Sequence, residues 1–266
     1  MFLSLVQNEW MKAYYRNKFV IFSIVMFGLL LVGTGGTVFL QNFDFGDEAL
    51  NFDMIQPVGF ATGAVDTLFV FVLVFSVVML ISGISTEYKN GTMKQLLIRP
   101  ISRTQILLSK WVMVFLATIG ILIGISIVSL LLGYIFFDSN TSFLESLSTL
   151  GLLILYRLPM LFFYQVLALL LAILTRSTAL SLSPILVLHF SGTIIMMFLM
   201  RFEWSKFIIL PNLNLLYYSS NEWLQYPGGP FIEGMTLGFS LAVIAVYSLI
   251  ILVVAHLIFK KKDVLS

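Results

Sequence analysis

Residues 68–103 read LFVFVLVFSVVMLISGIS (68–85) followed by TEYKNGTMKQLLIRPISR (86–103). The first half carries no ionisable side chain, and as an α-helix it is about 27 Å long, close to the ~30 Å hydrocarbon layer of a bilayer. The second half holds Glu87, Lys89, Lys94, Arg99 and Arg103, groups that are costly away from water. So abrupt a change marks a membrane-crossing helix that emerges at one face. Apolar runs of the same kind recur along the chain, and spans are expected at about 19–40, 64–85, 107–137, 148–174, 179–200 and 233–259. With 59% hydrophobic and 11% charged residues and a mean hydropathy of +1.02, the 266 residues have more apolar surface than one soluble core buries. Nothing alternates with the two-residue period of a membrane barrel. The expected fold is an all-α membrane protein, a single transmembrane domain of six helices covering 1–266.

Ahead of the first span, residues 2–18 place Leu3, Val6, Trp10, Met11 and Tyr14 on one helical face and Asn8, Lys12 and Arg16 on another. That pattern predicts an interfacial helix over 1–18. The full-length apolar run from Phe19 to Leu40 is too long for the core of a cleaved signal peptide. Basic residues concentrate before the first span, between the second and third (Lys89, Lys94, Arg99, Arg103, Lys110), at Arg176 and at Lys260–Lys262. Six crossings put all of these on one side, which the positive-inside rule makes cytoplasmic. The expected location is therefore the cytoplasmic (inner) membrane, multi-pass, with both termini cytoplasmic. The opposite loops hold Asp44, Asp47, Glu48 and Asp53 but only Arg201 and Lys206 as cations. Between the fifth and sixth spans, the apolar stretches 207–210 and 213–218, broken at Pro211, read either as short re-entrant helices dipping into the outer leaflet or as a surface aromatic belt.

The connection 87–103 is built like a small helix. Thr92 and Gln95 fit a capping box, Gly91 permits the preceding turn, and Pro100 stops continuation. A second box, Ser102 to Gln105, opens the third span. Met93, Leu96 and Leu97 cluster on one face as an apolar knob suited to a membrane surface or a partner protein.

Glu87 at the end of the second span, the Gly91-Thr92 pair, Leu96-Leu97, Pro100 and Ser102-Arg103 resemble the type 2 ATP-binding-cassette (ABC) exporter permease family. The N-terminal Asn8-Glu9-Trp10-Met11-Lys12, the six-span layout and the ending Phe259-Lys260-Lys261-Lys262-Asp263 extend the likeness over the whole chain. The resemblance implies that 91–98 is a cytoplasmic coupling helix docking on a separate ATPase, with Glu87, Gly91, Thr92, Met93, Leu96, Leu97, Pro100 and Arg103 as coupling residues. It implies that the N-terminal helix, with Glu9, Trp10 and Lys12, rests on the ATPase and the inner leaflet. The partners it implies are an ATP-binding-cassette ATPase dimer carrying ATP and Mg, a second permease subunit (the same chain or a paralogue) and the lipid bilayer. The function it implies is export of a substrate driven by ATP hydrolysis on the partner. The aromatic and acidic outer loops fit an antimicrobial peptide, drug or other amphiphile.

Energetic reasoning from the residues agrees with an external motor. No Gly-Lys dipeptide occurs, so a phosphate-cradling loop is not expected; neither are a bound cofactor, a metal site, catalytic residues or a nucleic-acid partner, and the chain is expected to be a transport subunit rather than an enzyme. Cysteine is absent. Asp66 and Glu233 are expected near outer span ends. Arg157 is expected in the outer half of the fourth span, either snorkelling independently or paired with Glu233. His189 is expected at mid-membrane as a hydrogen-bonded packing residue, and Gly120 and Gly124 are expected to pack against another helix of the same protomer. Two other classes compete. An ion-coupled secondary transporter would depend on His189, Asp66 or Glu233. A membrane enzyme would need clustered ligands or nucleophiles, whereas His189 and His256 lie on separate spans.

Overall fold

A computed structural model describes residues 2–15, 17–41, 56–91, 102–225, 229–230, 232 and 234–261. Among them every regular element is helical. The long helices are α1 (Phe2–Tyr15), α2 (Lys18–Gln41), α3 (Pro57–Lys89), α4 (Arg103–Phe136), α5 (Phe143–Thr175), α6 (Thr178–Leu199) and α7 (Leu237–Lys261). The last six are each long and apolar enough to cross a membrane.

Local chemistry accounts for the boundaries. Pro57 starts α3, where a missing N–H costs nothing and its φ is already helical; the helix therefore begins seven residues before the apolar run expected at 64. Ser102 and Ser142 cap α4 and α5, each hydroxyl accepting from the amide three residues on. Asn17 takes a left-handed φ of 52° just ahead of α2, a conformation asparagine tolerates. Pro159 and Pro184 sit inside α5 and α6.

The six membrane-length helices are apolar all round, so exposure rather than periodicity distinguishes core from rim. At the centre is α3, buried along nearly its whole length from Pro57 to Ser85 and packed between α4 and α5. At the rim, α2 buries only Met26, Leu30 and Thr34, one stripe at four-residue spacing. The same holds for α6, which buries Ser181, Ile185, Gly192 and Met196. Their remaining surfaces are large and apolar, as lipid-facing helices require.

Between α6 and α7 the chain forms three short helical turns, Glu203–Phe207, Ile209–Asn212 and Leu215–Tyr218. Ile209, Leu213, Leu215 and Leu216 are buried, and Asn212 donates to the Lys206 and Ile208 carbonyls. The segment is packed on protein. The final helix starts at Leu237; Glu233, expected at its start, lies outside the described residues.

Candidate functional site

α1 turns Glu9, Lys12 and Ala13 towards the bundle, and Val6 packs against the core as well. Ala13 is buried and Glu9 and Lys12 are partly so, whereas Leu3, Trp10, Met11 and Tyr14 are exposed. The reason is on the neighbouring helices. Lys110, two turns into α4 and 3% exposed, donates to Glu9 at 2.8 Å and to Glu87, near the end of α3, at 2.6 Å. Lys12 donates to Glu9 at 2.7 Å and to Glu87 at 3.4 Å. Two carboxylates and two ammonium groups thus alternate in a closed ring that fastens three helices together.

Burial alone would raise the Glu9 pKa, but Lys110 and then Lys12 outweigh it and hold the carboxyl below its usual range. Burial likewise disfavours the Lys12 ammonium, and Glu9 and Glu87 overcome it, leaving the pKa raised. With Glu9 and Glu87 side chains only 13% and 14% exposed, removal of one member leaves a buried charge uncompensated, a loss of about 3–5 kcal/mol in such pairs.

Other contacts gather at the same end. The Arg176 guanidinium, held by a residue with φ of 53° that caps α5, lies 5.0 Å from the Tyr88 ring. Lys18 on α2 reaches Ser82 on α3 at 3.5 Å. Thr104 at the start of α4 and His256 near the end of α7 share a 3.0 Å hydrogen bond. Gly91 leaves α3 with φ of 68°, a left-handed turn that favours glycine. All of these surround the point where the connection from α3 to α4 departs.

Of the residues singled out in the sequence, Glu9, Lys12 and Glu87 meet in the ring and Gly91 adjoins it. Trp10 has no part in the ring and stacks on Phe19 at 6.2 Å. Thr92, Met93, Leu96, Leu97 and Pro100, and the side chain of Arg103, lie outside the described residues. Lys110, which the sequence shows as one more basic loop residue, is the hub. Tyr88 and Arg176 were not expected to meet.

A second charged centre lies deeper. Arg157 on α5 is buried and pairs with Asp66 on α3, with Asn214 accepting at 3.4 Å and the Phe69 ring 5.1 Å away. This corrects the expectation of an independently snorkelling Arg157: a carboxylate on an adjacent helix neutralises the guanidinium in place; the expected alternative partner, Glu233, lies outside the described residues. The His189 ring packs edge-on against Tyr164 and Phe190, and its Nδ1 has no hydrogen-bond partner, contrary to the expected hydrogen-bonded role. Gly120 and Gly124 are not packed against a helix either; a Cβ at either position would meet nothing within 4 Å. Among the described residues no group of three or more His, Cys, Asp or Glu is placed to hold a metal ion.

The ring is chemically a clamp. Its charges are mutually paired, and its geometry fixes α1 relative to the ends of α3 and α4.

Comparison with known proteins places these features in a lineage. A family model described as Protein of unknown function (DUF2705) matches residues 48–265. The chain is 31% identical over 206 residues to the Uncharacterized protein YhcI of Bacillus subtilis (strain 168), a match covering 71% of this chain and 64% of YhcI. It is 27% identical over 189 residues to the Uncharacterized membrane protein YdbK of the same organism, covering 68% and 73% of the two chains. The chain thus spans a little less than two thirds of the length of YhcI. No solved structure matches. Six membrane-length apolar helices together with a relative named as a membrane protein identify a multi-pass membrane protein.

Proposed function

This chain belongs to the DUF2705 family, and on that premise we propose that it is the membrane-spanning subunit of an ABC exporter whose ATPase is a separate protein. The observation that carries this reading is the Glu9–Lys12–Glu87–Lys110 ring. A motor that pushes on the connection from α3 to α4 must move membrane helices, and the ring joins both ends of that connection to α1 as one unit. The Arg176–Tyr88 contact extends the same unit to the turn between α5 and α6.

In this reading residues 91–98 form the coupling helix, received by the ATPase through Met93, Leu96 and Leu97. The exposed Leu3 and Met11 of α1 lie on the inner leaflet beside the ATPase, making α1 the interfacial helix. Lys12, Lys18, Lys89, Lys110, Arg176 and Lys260 crowd one end of the bundle, while Asp138, Glu145, Glu203 and Glu222 mark the other; by the positive-inside rule the basic end and both termini are cytoplasmic. The short turns at 203–218 sit in the outer leaflet. Two such chains, or this chain and a paralogue, enclose the path for an amphiphilic cargo such as an antimicrobial peptide or drug.

The test is affinity purification of the tagged chain from its host membrane. An ATP-binding-cassette protein is expected to co-purify and to be lost when Leu96→Asp and Leu97→Asp are combined. Retention of the ATPase by that variant, or the absence of any ATPase, overturns the reading.

One observation favours a second reading, ion-coupled transport: the buried Asp66–Arg157 pair is of the kind that proton- and ion-driven carriers place inside the membrane. Transport by reconstituted vesicles without nucleotide, abolished by Asp66→Asn, would select it.

A further inference from the structure

Two apolar clefts run along the inner side of α2. One, of about 460 Å³, lies between α1, α2 and α4 and is lined by Ala13, Phe19, Met26, Leu30, Gly120 and Gly124 among others. The second, of about 470 Å³, lies between α2 and α3 and is closed at its far end by Gln56, Thr37 and Trp223. Leu30 is common to both.

The dimensions are those of a bilayer. On α2 the first cleft runs from Phe19 to Leu30 and the second from Leu29 to Thr37, about 16 Å and 12 Å at the helical rise. Each is close to one leaflet, half of the ~30 Å hydrocarbon layer. Leu30, buried at the midpoint of α2, separates them where the two leaflets meet. Ser23 lines the first cleft and Thr67 the second, and the remaining polar groups sit towards the outer ends. Gln56, whose Oε1 has no hydrogen-bond partner, and Thr37 lie at one end; Tyr14 and Trp10 lie at the other.

Width decides the occupant. A volume of about 460 Å³ over about 16 Å gives a cross-section near 30 Å², whereas an α-helix some 10 Å across needs about 80 Å². The cleft has room for a single hydrocarbon chain. Water does not fill apolar cavities, which stay dry and take apolar guests, and the medium beside α2 is hydrocarbon.

We infer that each cleft behind α2 holds one acyl chain of a phospholipid, one lipid from each leaflet, with the chain ends meeting at Leu30. Gly120 and Gly124 keep the first cleft open and Gly63 the second, since a Cβ at any of these positions would meet no atom within 4 Å. α1 floors the first cleft, so the ion ring that fixes α1 also fixes the depth of that site. The inference requires only that the chain spans a membrane and stands apart from the transport reading.

The experiment uses the full chain in vesicles of phosphatidylcholine bearing a photoactivatable diazirine on one acyl chain. A diazirine at the chain terminus is expected to label α2 and α4 around Met26, Leu30 and Ile121. One near the glycerol is expected to label near Phe19 and Thr37. Native mass spectrometry of the purified chain is expected to show two retained phospholipids, with Gly124→Leu losing one and Gly63→Leu losing the other. Labelling confined to the outward faces of α6 and α7, with no lipid retained by the native chain, overturns the inference whether or not the variants fold. So does a disulfide between two copies at Gly124→Cys, which would put a second protein in the cleft.

Discussion

Gly133 on α4 lies so close to Pro57 at the start of α3 that a Cβ would come within 3.0 Å of the Pro57 Cα and carbonyl oxygen. Both are backbone atoms and cannot step aside as a side-chain tip would. Gly133→Ala is therefore expected to lower stability by roughly 1–3 kcal/mol, the cost of overpacking. Gly120→Ala, facing an open cleft, is expected to leave it unchanged or raise it slightly through helix propensity. Thermal unfolding of the purified variants in detergent checks both.

Lys110 holds two carboxylates at once, so its loss is expected to exceed that of either acceptor. Lys110→Met should cost about 3–5 kcal/mol. Combining it with Glu87→Gln should cost less than the two single losses added, because the second change removes a charge that the first left exposed to an apolar surround. A double-mutant cycle measured by denaturant titration in mixed micelles would show the coupling; additive losses would mean that the ring is not an energetic unit.

The ring also predicts a pH window. Glu9 has a lowered folded pKa, so its contribution is complete above the free-glutamate value of about 4.3 and disappears as the pH falls through the folded value. Lys12 has a raised folded pKa, so its contribution is complete below the free-lysine value of about 10.4 and is lost as the pH rises through the folded one. The melting-temperature gap between the native chain and Glu9→Gln should shrink at the acid limit. That for Lys12→Met should shrink at the alkaline limit. Constant gaps across the range would contradict the assignment.

The Asp66–Arg157 pair gives a different signature. Asp66→Asn strands a buried guanidinium and should destabilise by about 3–5 kcal/mol, while Asp66→Leu combined with Arg157→Met should recover most of the loss. If export is driven from outside the chain, the double variant keeps ATP-dependent transport. Flux measured in vesicles, alongside melting temperature, separates a structural pair from a carrier's ion site.

Six membrane-length helices were legible because a bilayer demands a long apolar run for each crossing, and length is a one-dimensional signal. The site was legible only in pieces. Glu9 and Glu87 stood out through the family likeness, but Lys110 lies 101 residues from the first of them, and no local spacing encodes so distant a partner. The same holds for Asp66 and Arg157, 91 residues apart. Helical periodicity draws two faces on α1 yet cannot say which one meets protein: Glu9 and Lys12 find counter-charges on α3 and α4, and Val6, from the other face, packs against the core as well. The spacing of Gly120 and Gly124 signals room without naming what fills it.

The order of the ring along the chain has a consequence for biogenesis. Both acceptors of Lys110 precede it in sequence, so Glu9 and Glu87 have already left the ribosome when the ammonium emerges. A cation that would otherwise resist entering the bilayer thus finds its counter-ions in place, and α4 can integrate as soon as it is synthesised.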